Sequence, residues 1–167
     1  MGLVDLGSVF PVGDKAMKYR YFLTSEFKFD AAHRLSNYKG KCSQIHGHTY
    51  RVIITIGSFK LNHWGAVMDF GDLKKIFRNH IDQKYDHKTI LWAKDKDNQT
   101  IASAMGKDWI TWMDNNPTAE NMARDIWNDL LPVFKQSALE GIELVQVTIY
   151  ETATNAASYR EETWKKK

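Results

Sequence analysis

The chain has 167 residues, of which 43% are hydrophobic and 26% charged, and it carries a formal net charge of +3. This is the composition of a globular protein in water, and so slight a charge argues against a dedicated nucleic-acid binder, which carries a concentrated basic stripe. The lone cysteine excludes an internal disulfide and fits a reducing, cytoplasmic setting, and no apolar run approaches the length of a membrane helix, so neither nucleic acid nor membrane is an expected partner.

Residues 1–18 have neither the charged start nor the sustained apolar stretch of a secretory leader, and they read as an N-terminal extension ahead of one domain over 19–167. Tyr21 to His33 reads as a strand, with Phe27, Phe29, Ala31 and His33 alternating with polar or small residues. A polar loop, Arg34 to Gln44, holds Cys42. Ile45 to Ser58 is a second strand. Side chains at i and i+2 leave a strand from one face, so His46, His48, Tyr50, Val52, Ile54 and Ile56 point the same way. Asp69 is placed to cap a helix whose apolar positions are Leu73, Ile76, Phe77 and Ile81. Asp86-His87 follows it. Ala93 to Asn116 is long and polar, as expected of a functional loop or an insertion, with a buried turn or short helix near Trp109 to Met113. Asn116 or Thr118 caps a second helix, with Pro117 in its first turn and Ala123, Ile126, Trp127, Leu130, Leu131 and Phe134 as its core stripe. Ile142 to Glu151 is a third strand, predicted to align Val145, Val147, Ile149 and Glu151 on one face. Ala156 to Glu162 is a short fourth. Helices gathered inside an antiparallel set of strands imply an α+β fold with both helices on one face of the sheet.

Three histidines, His33, His46 and His48, end two apolar strand faces. Each alone is more often a satisfied core or surface histidine. Three converging match a catalytic zinc, which takes three protein ligands and leaves a fourth position open. Gly47 between two of them suits backbone passing close to a ligand. Cys42 sits beside this group with Lys39 and Lys41 nearby, surroundings that favour a reactive thiolate able to act as nucleophile or proton-transfer base. A fourth zinc ligand, closing a structural site, and an inert small hydrophobe are the competing roles. Asp86 and His87 form an acid/base unit if the carboxylate orients the imidazole, and an ordinary surface pair if not. Glu151 extends an apolar face where an unpaired charge is costly. Its partner is either Arg160 or a ligand with two adjacent N–H donors, such as the edge of a guanine-like or pterin ring. His63 and His80 read as ordinary, and Arg34, Lys39 and Lys41 are candidates for binding a triphosphate.

The segments Phe29-Asp30-Ala31-Ala32-His33, Cys42-Ser43-Gln44-Ile45-His46-Gly47-His48-Thr49-Tyr50, Val67-Met68-Asp69-Phe70, Asp86-His87, Pro117-Thr118-Ala119-Glu120-Asn121 and Glu151-Thr152 occur in this order. Over Tyr21 to about Tyr159 the sequence resembles the 6-pyruvoyltetrahydropterin synthase / 6-carboxytetrahydropterin synthase family. The short gap between Cys42 and His46 is similar to its bacterial 6-carboxytetrahydropterin synthase branch. The resemblance implies a T-fold subunit, a four-stranded antiparallel sheet with two helices on one face, assembled as a homo-oligomer (trimer or hexamer) with active sites at subunit interfaces. It implies zinc (Zn2+) on His33, His46 and His48, Cys42 as the base, Asp86 and His87 as a relay from a neighbouring subunit, and Glu151 as the pterin anchor. The implied reaction converts dihydroneopterin triphosphate to 6-carboxytetrahydropterin, releasing acetaldehyde and triphosphate, on the way to queuosine-type deazapurines. Elimination of triphosphate to give the 6-pyruvoyl product, and a non-catalytic zinc/pterin-binding protein, are the alternatives. Two features depart from the family pattern: Leu91-Trp92 stands where an Asn is usual, and the 93–116 segment is longer than in short bacterial members.

Overall fold

The computed structural model describes residues 19–136 and 141–161; the proposed extension, residues 1–18, lies outside them. Two long strands, β1 (Tyr21–His33) and β2 (His46–Ser58), pair antiparallel in unbroken register from Tyr21 opposite Ser58 to His33 opposite His46. Their inward side chains, Phe27, Phe29, Tyr50, Val52, Ile54 and Ile56, are buried, so the alternation in the sequence reports the core face directly.

Helix α1 (Phe70–Lys84) starts where Asp69 accepts hydrogen bonds from the N–H groups of Gly71 and Asp72, which satisfies donors left free by the first turn. It buries Leu73, Phe77 and Ile81. The later helix, α3 (Ala119–Gln136), is entered through Thr118, whose hydroxyl accepts from the Asn121 N–H at 3.3 Å. Both helices join one core cluster with the strands. Phe77 packs edge-on against Phe27 at 6.0 Å between centroids and stacks on Phe134 at 5.2 Å.

The sheet has six strands in mixed orientation, rather than the four antiparallel strands expected. Its order is β4 (Ile110–Met113), β3 (Lys88–Trp92), β1, β2, β5 (Ile142–Tyr150) and β6 (Ala156–Tyr159). Strands β5 and β6 extend the antiparallel part. The extra pair, β3 and β4, is parallel, and β3 meets β1 only along Ala31 to His33. Between them, the segment expected as a loop folds into α2 (Lys96–Met105), capped by Asp95 and ended by Gly106 at φ +92°. It was illegible as a helix because it buries only Asn98 and Ala102, which leaves no apolar stripe to read. Leu91, the residue departing from the family pattern, is buried with Ala102 and Ile110 in a separate small cluster beneath this unit.

One strand face also differs from expectation. The β2–β5 register shifts between Thr55, opposite Gln146, and Ile56, opposite Leu144. Val145 is the extra residue of this bulge, so Leu144 rather than Val145 joins Val147 and Ile149 in the core. Gly57 is needed here, since a Cβ would stand 2.8 Å from Val145 Cγ2 and 2.7 Å from the Tyr19 ring.

The two long helices are also tied by charge. Lys84 Nζ donates to Asp125 at 2.9 Å and also to Asp129. The buried Tyr85 hydroxyl donates to Asp125 at 2.8 Å, and His80 Nε2 lies 3.0 Å from Asp129. Burial pushes the Asp129 carboxyl upward, but its bonds to His80 and Lys84 outweigh this and hold it below the usual range.

Two outcomes are expected. Phe77→Ala removes a ring wedged between β1 and α3 and should cost about 3–5 kcal/mol in urea unfolding. Asp129→Asn should lower stability at neutral pH. A carboxyl depressed in the folded state contributes stability above its unfolded value of about 3.9 and loses it as the pH falls through the lower folded value. The urea midpoints of wild type and variant should therefore converge in acid.

Candidate functional site

The β1–β2 register sets His33 directly opposite His46, with Ala31 opposite His48. The register of β2 with β5 puts Tyr150 opposite Arg51, so Glu151, the next residue, falls level with Tyr50 on the histidine face. One ligand atom from each of His33, His46, His48 and Glu151 lies within 4.8 Å of all the others.

Backbone carbonyls fix two of the imidazoles. His33 Nδ1 is 2.8 Å from the Pro117 carbonyl oxygen and His46 Nδ1 is 2.9 Å from that of Gln44. A carbonyl only accepts, so each Nδ1 carries the hydrogen and each Nε2 keeps its lone pair. Those two Nε2 atoms face each other at 3.1 Å. His48 Nε2 stands 3.2 Å from Glu151 Oε1, close enough for an ion pair but not aligned as a hydrogen bond, and it is buried without another partner. His33 Nε2 is 3.9 Å from the same oxygen.

This donor set fits a divalent cation. Lone pairs at 3.1 Å repel unless a positive centre lies between them. Tetrahedral zinc, with bonds of ~2.0–2.1 Å, needs ligand–ligand separations of roughly 3.3 Å, and the observed separations of 3.1, 3.2 and 3.9 Å bracket that value. Burial holds the His33 pKa below the usual imidazole value. The Pro117 carbonyl pulls the other way, and electrostatic opposition from the neighbouring His46 imidazole reinforces the lowering. His33 is therefore kept neutral, the form a metal requires. Tyr50 lies fully buried beneath, its ring 5.8 Å from that of His33 and 5.4 Å from that of His48. Burial, then the charges of Glu151 and Cys42, raise its pKa and keep the phenol protonated.

The other predicted residues fall as follows. Cys42 is half-buried in a single 3-10 turn, Lys41–Ser43, and is not among the four converging ligand atoms. Glu151 faces His48 and His33 rather than Arg160, so the carboxylate read as a substrate anchor is also a candidate fourth metal ligand. Gly47 relieves crowding from a neighbouring strand, since a Cβ there would meet the Ala31 carbonyl oxygen at 3.2 Å.

Asp86 and His87 do touch: Asp86 Oδ2 is 2.9 Å from His87 Nδ1. Asp30 N–H donates to Asp86 Oδ1 at 3.0 Å, and His87 N–H donates to the Asp30 carbonyl at 2.7 Å. Desolvation pushes the Asp86 pKa upward, but the bonds from Asp30 and His87 prevail and lower it. His87 adopts φ +58°, a conformation costly for a non-glycine residue. Its side chain is 72% exposed and lines an open groove of about 460 Å³ with Asp30, Ala31, Ala32, Gly47, His48 and Thr49. Asp30, Ala32, Gly47 and Thr49 belong to the strand face opposite the imidazoles, while Ala31 and His48 belong to the imidazole face. The Asp86–His87 pair thus forms within one chain, and His87 shares this groove with His48.

The carbonyls of Pro117 and Gln44 escaped the sequence reading, since main-chain acceptors leave no side-chain signature. Pro117 precedes α3 instead of entering it, which leaves its carbonyl free for His33.

A family model described as 6-pyruvoyl tetrahydropterin synthase matches residues 22–162. A 6-carboxy-5,6,7,8-tetrahydropterin synthase of Rickettsia conorii is 37% identical over 130 residues, covering 77% of this chain and 92% of the relative. A 6-pyruvoyl tetrahydrobiopterin synthase of Drosophila melanogaster is 32% identical over 152 residues, covering 83% and 79%. Among solved structures, 6-pyruvoyltetrahydropterin synthase of Plasmodium vivax superimposes with a TM-score of 0.65 at 20% identity, over 84% of this chain and 97% of that one.

His46→Ala removes one converging lone pair from a half-exposed position. It is expected to reduce bound divalent metal from stoichiometric to trace after dialysis, read by plasma mass spectrometry, with the far-ultraviolet circular dichroism unchanged.

Proposed function

The chain belongs to the 6-pyruvoyl tetrahydropterin synthase family of enzymes, and from that premise we propose that it is a zinc-dependent carbon–carbon lyase. With the uptake of one water it converts dihydroneopterin triphosphate to 6-carboxytetrahydropterin, acetaldehyde and triphosphate, in a cytoplasmic route toward queuosine-type deazapurines. The observation that carries this reading is the facing pair of His33 and His46 Nε2 atoms at 3.1 Å, joined by His48 and Glu151, in a chain whose bacterial relative bears the carboxy name.

His33, His46 and His48 would hold the zinc, which supplies Lewis-acid polarisation of a substrate side-chain oxygen and so acidifies the neighbouring C–H. Cys42 thiolate takes that proton. Glu151 accepts two adjacent N–H bonds from the pterin edge and orients the ring against the sulfur. His87, its ring set by Asp86, returns a proton elsewhere on the side chain. This exposed pair is read as serving the site of a neighbouring copy, so that the working unit is a homo-oligomer, a trimer or hexamer. Residues 19–167 act as one catalytic domain. The ring is reduced at the expense of the side chain, so no external reductant is required.

The 6-pyruvoyl product is the second reading, favoured by the Drosophila relative; the same base and metal serve both. Incubating the zinc-loaded protein with dihydroneopterin triphosphate and identifying the product by mass spectrometry separates them. The 6-carboxy product and acetaldehyde are expected. Cys42→Ala should keep its zinc and lose turnover by about 10²-fold or more; full turnover in that variant would remove Cys42 from its role.

A further inference from the structure

The loop that carries Cys42 is braced by a residue that no motif marks. Arg34 follows His33 directly and turns back across the loop. Its Nε donates to the Ser43 carbonyl at 3.1 Å, and its Nη1 donates to Asn98 Oδ1 at 3.0 Å. Asn98 belongs to α2 and is fully buried, although polar. Its Nδ2 donates to Ser36 Oγ at 3.1 Å and to the Trp92 carbonyl at 3.0 Å. Asp95, the α2 cap, places its carboxylate 3.8 Å from the same Arg34 nitrogen. The Leu35 N–H donates to the Cys42 carbonyl at 2.8 Å.

A buried asparagine is a poor choice for packing. It is an indifferent helix former, and its amide must be desolvated and fully satisfied. Here both ends are satisfied, and one end serves only to fix a guanidinium. That group is a rigid planar fork, so anchoring one nitrogen on α2 dictates where the other meets Ser43, the residue after Cys42. We propose that Arg34 and Asn98 are positioning residues. Through the Arg34 fork, helix α2 sets the Lys41–Ser43 turn, and hence the Cys42 sulfur, relative to the histidine cluster. This gives the β3–α2–β4 unit a function beyond extending the sheet. The inference rests on Cys42 acting as the base.

The test compares Asn98→Ala with Arg34→Lys, whose single ammonium cannot reproduce the fork. In Asn98→Ala, kcat should fall about tenfold or more while KM stays within about twofold, because the base is displaced and the substrate contacts are not. Metal content should be unchanged. The rate of Cys42 alkylation by iodoacetamide, unambiguous with one thiol in the chain, should change by about threefold or more as the turn relaxes. Arg34→Lys should reproduce the fall in kcat and the change in alkylation. If Asn98→Ala does not fold, Arg34→Lys carries the test through those two readouts. A lower melting temperature with unchanged kcat and unchanged alkylation would overturn the proposal. If the wild type does not turn over dihydroneopterin triphosphate, the functional reading fails, while the alkylation comparison still decides whether Asn98 positions the cysteine.

Discussion

The antiparallel ladder between β1 and β2 is the constraint on which the site depends. It brings His33 opposite His46 without any long-range coincidence, because the two strands are neighbours in sequence and in the sheet. A slip of one residue would turn every inward side chain to the other face. The same register that buries Phe27, Phe29, Val52 and Ile54 therefore also aligns the imidazoles. Core packing and ligand placement are one choice, and the apolar strand faces hold the polar cluster at their end.

The ligand set costs something to assemble. A buried imidazole facing a half-exposed one, lone pair to lone pair, opposes folding, and a neutral His33 gains little from its surroundings except the Pro117 carbonyl. The core under α1 and α3 offsets this. Phe77, Phe134, Leu130 and Ile126 are at or near full burial, and each large buried side chain is worth about 1.5–3 kcal/mol of transfer free energy. Function is thus placed at the rim of a core that can carry the strain, a common arrangement in enzymes.

The parts of the fold with a strong local period were legible in the sequence. The alternation to His33 and from His46 placed both long strands and all three imidazoles. Asp69 declared a helix start, and Asp86-His87 set a carboxylate beside an imidazole, two side chains that do touch. What could not be read lacked a period. Helix α2 buries an asparagine and an alanine, Val145 breaks the alternation of its strand at a bulge, and the parallel pairing of β3 and β4 joins segments by long-range contacts that no local pattern encodes. Glu151 was found as a costly charge on an apolar face, but its nearness to His48 follows from a three-strand register that the sequence does not display. A relay across subunits is implied by the family resemblance alone; what the chain shows is the contact between Asp86 and His87.

The brevity of β3 has a last consequence. It covers β1 only from Ala31 to His33, so among the described residues the rest of that edge, back to Tyr21, offers its peptide groups to no other strand of the sheet. An open edge of that length invites indiscriminate association. The outward side chains along it, Glu26, Lys28 and Asp30, alternate in sign, and charges on an edge strand hinder its pairing with apolar strands of other molecules.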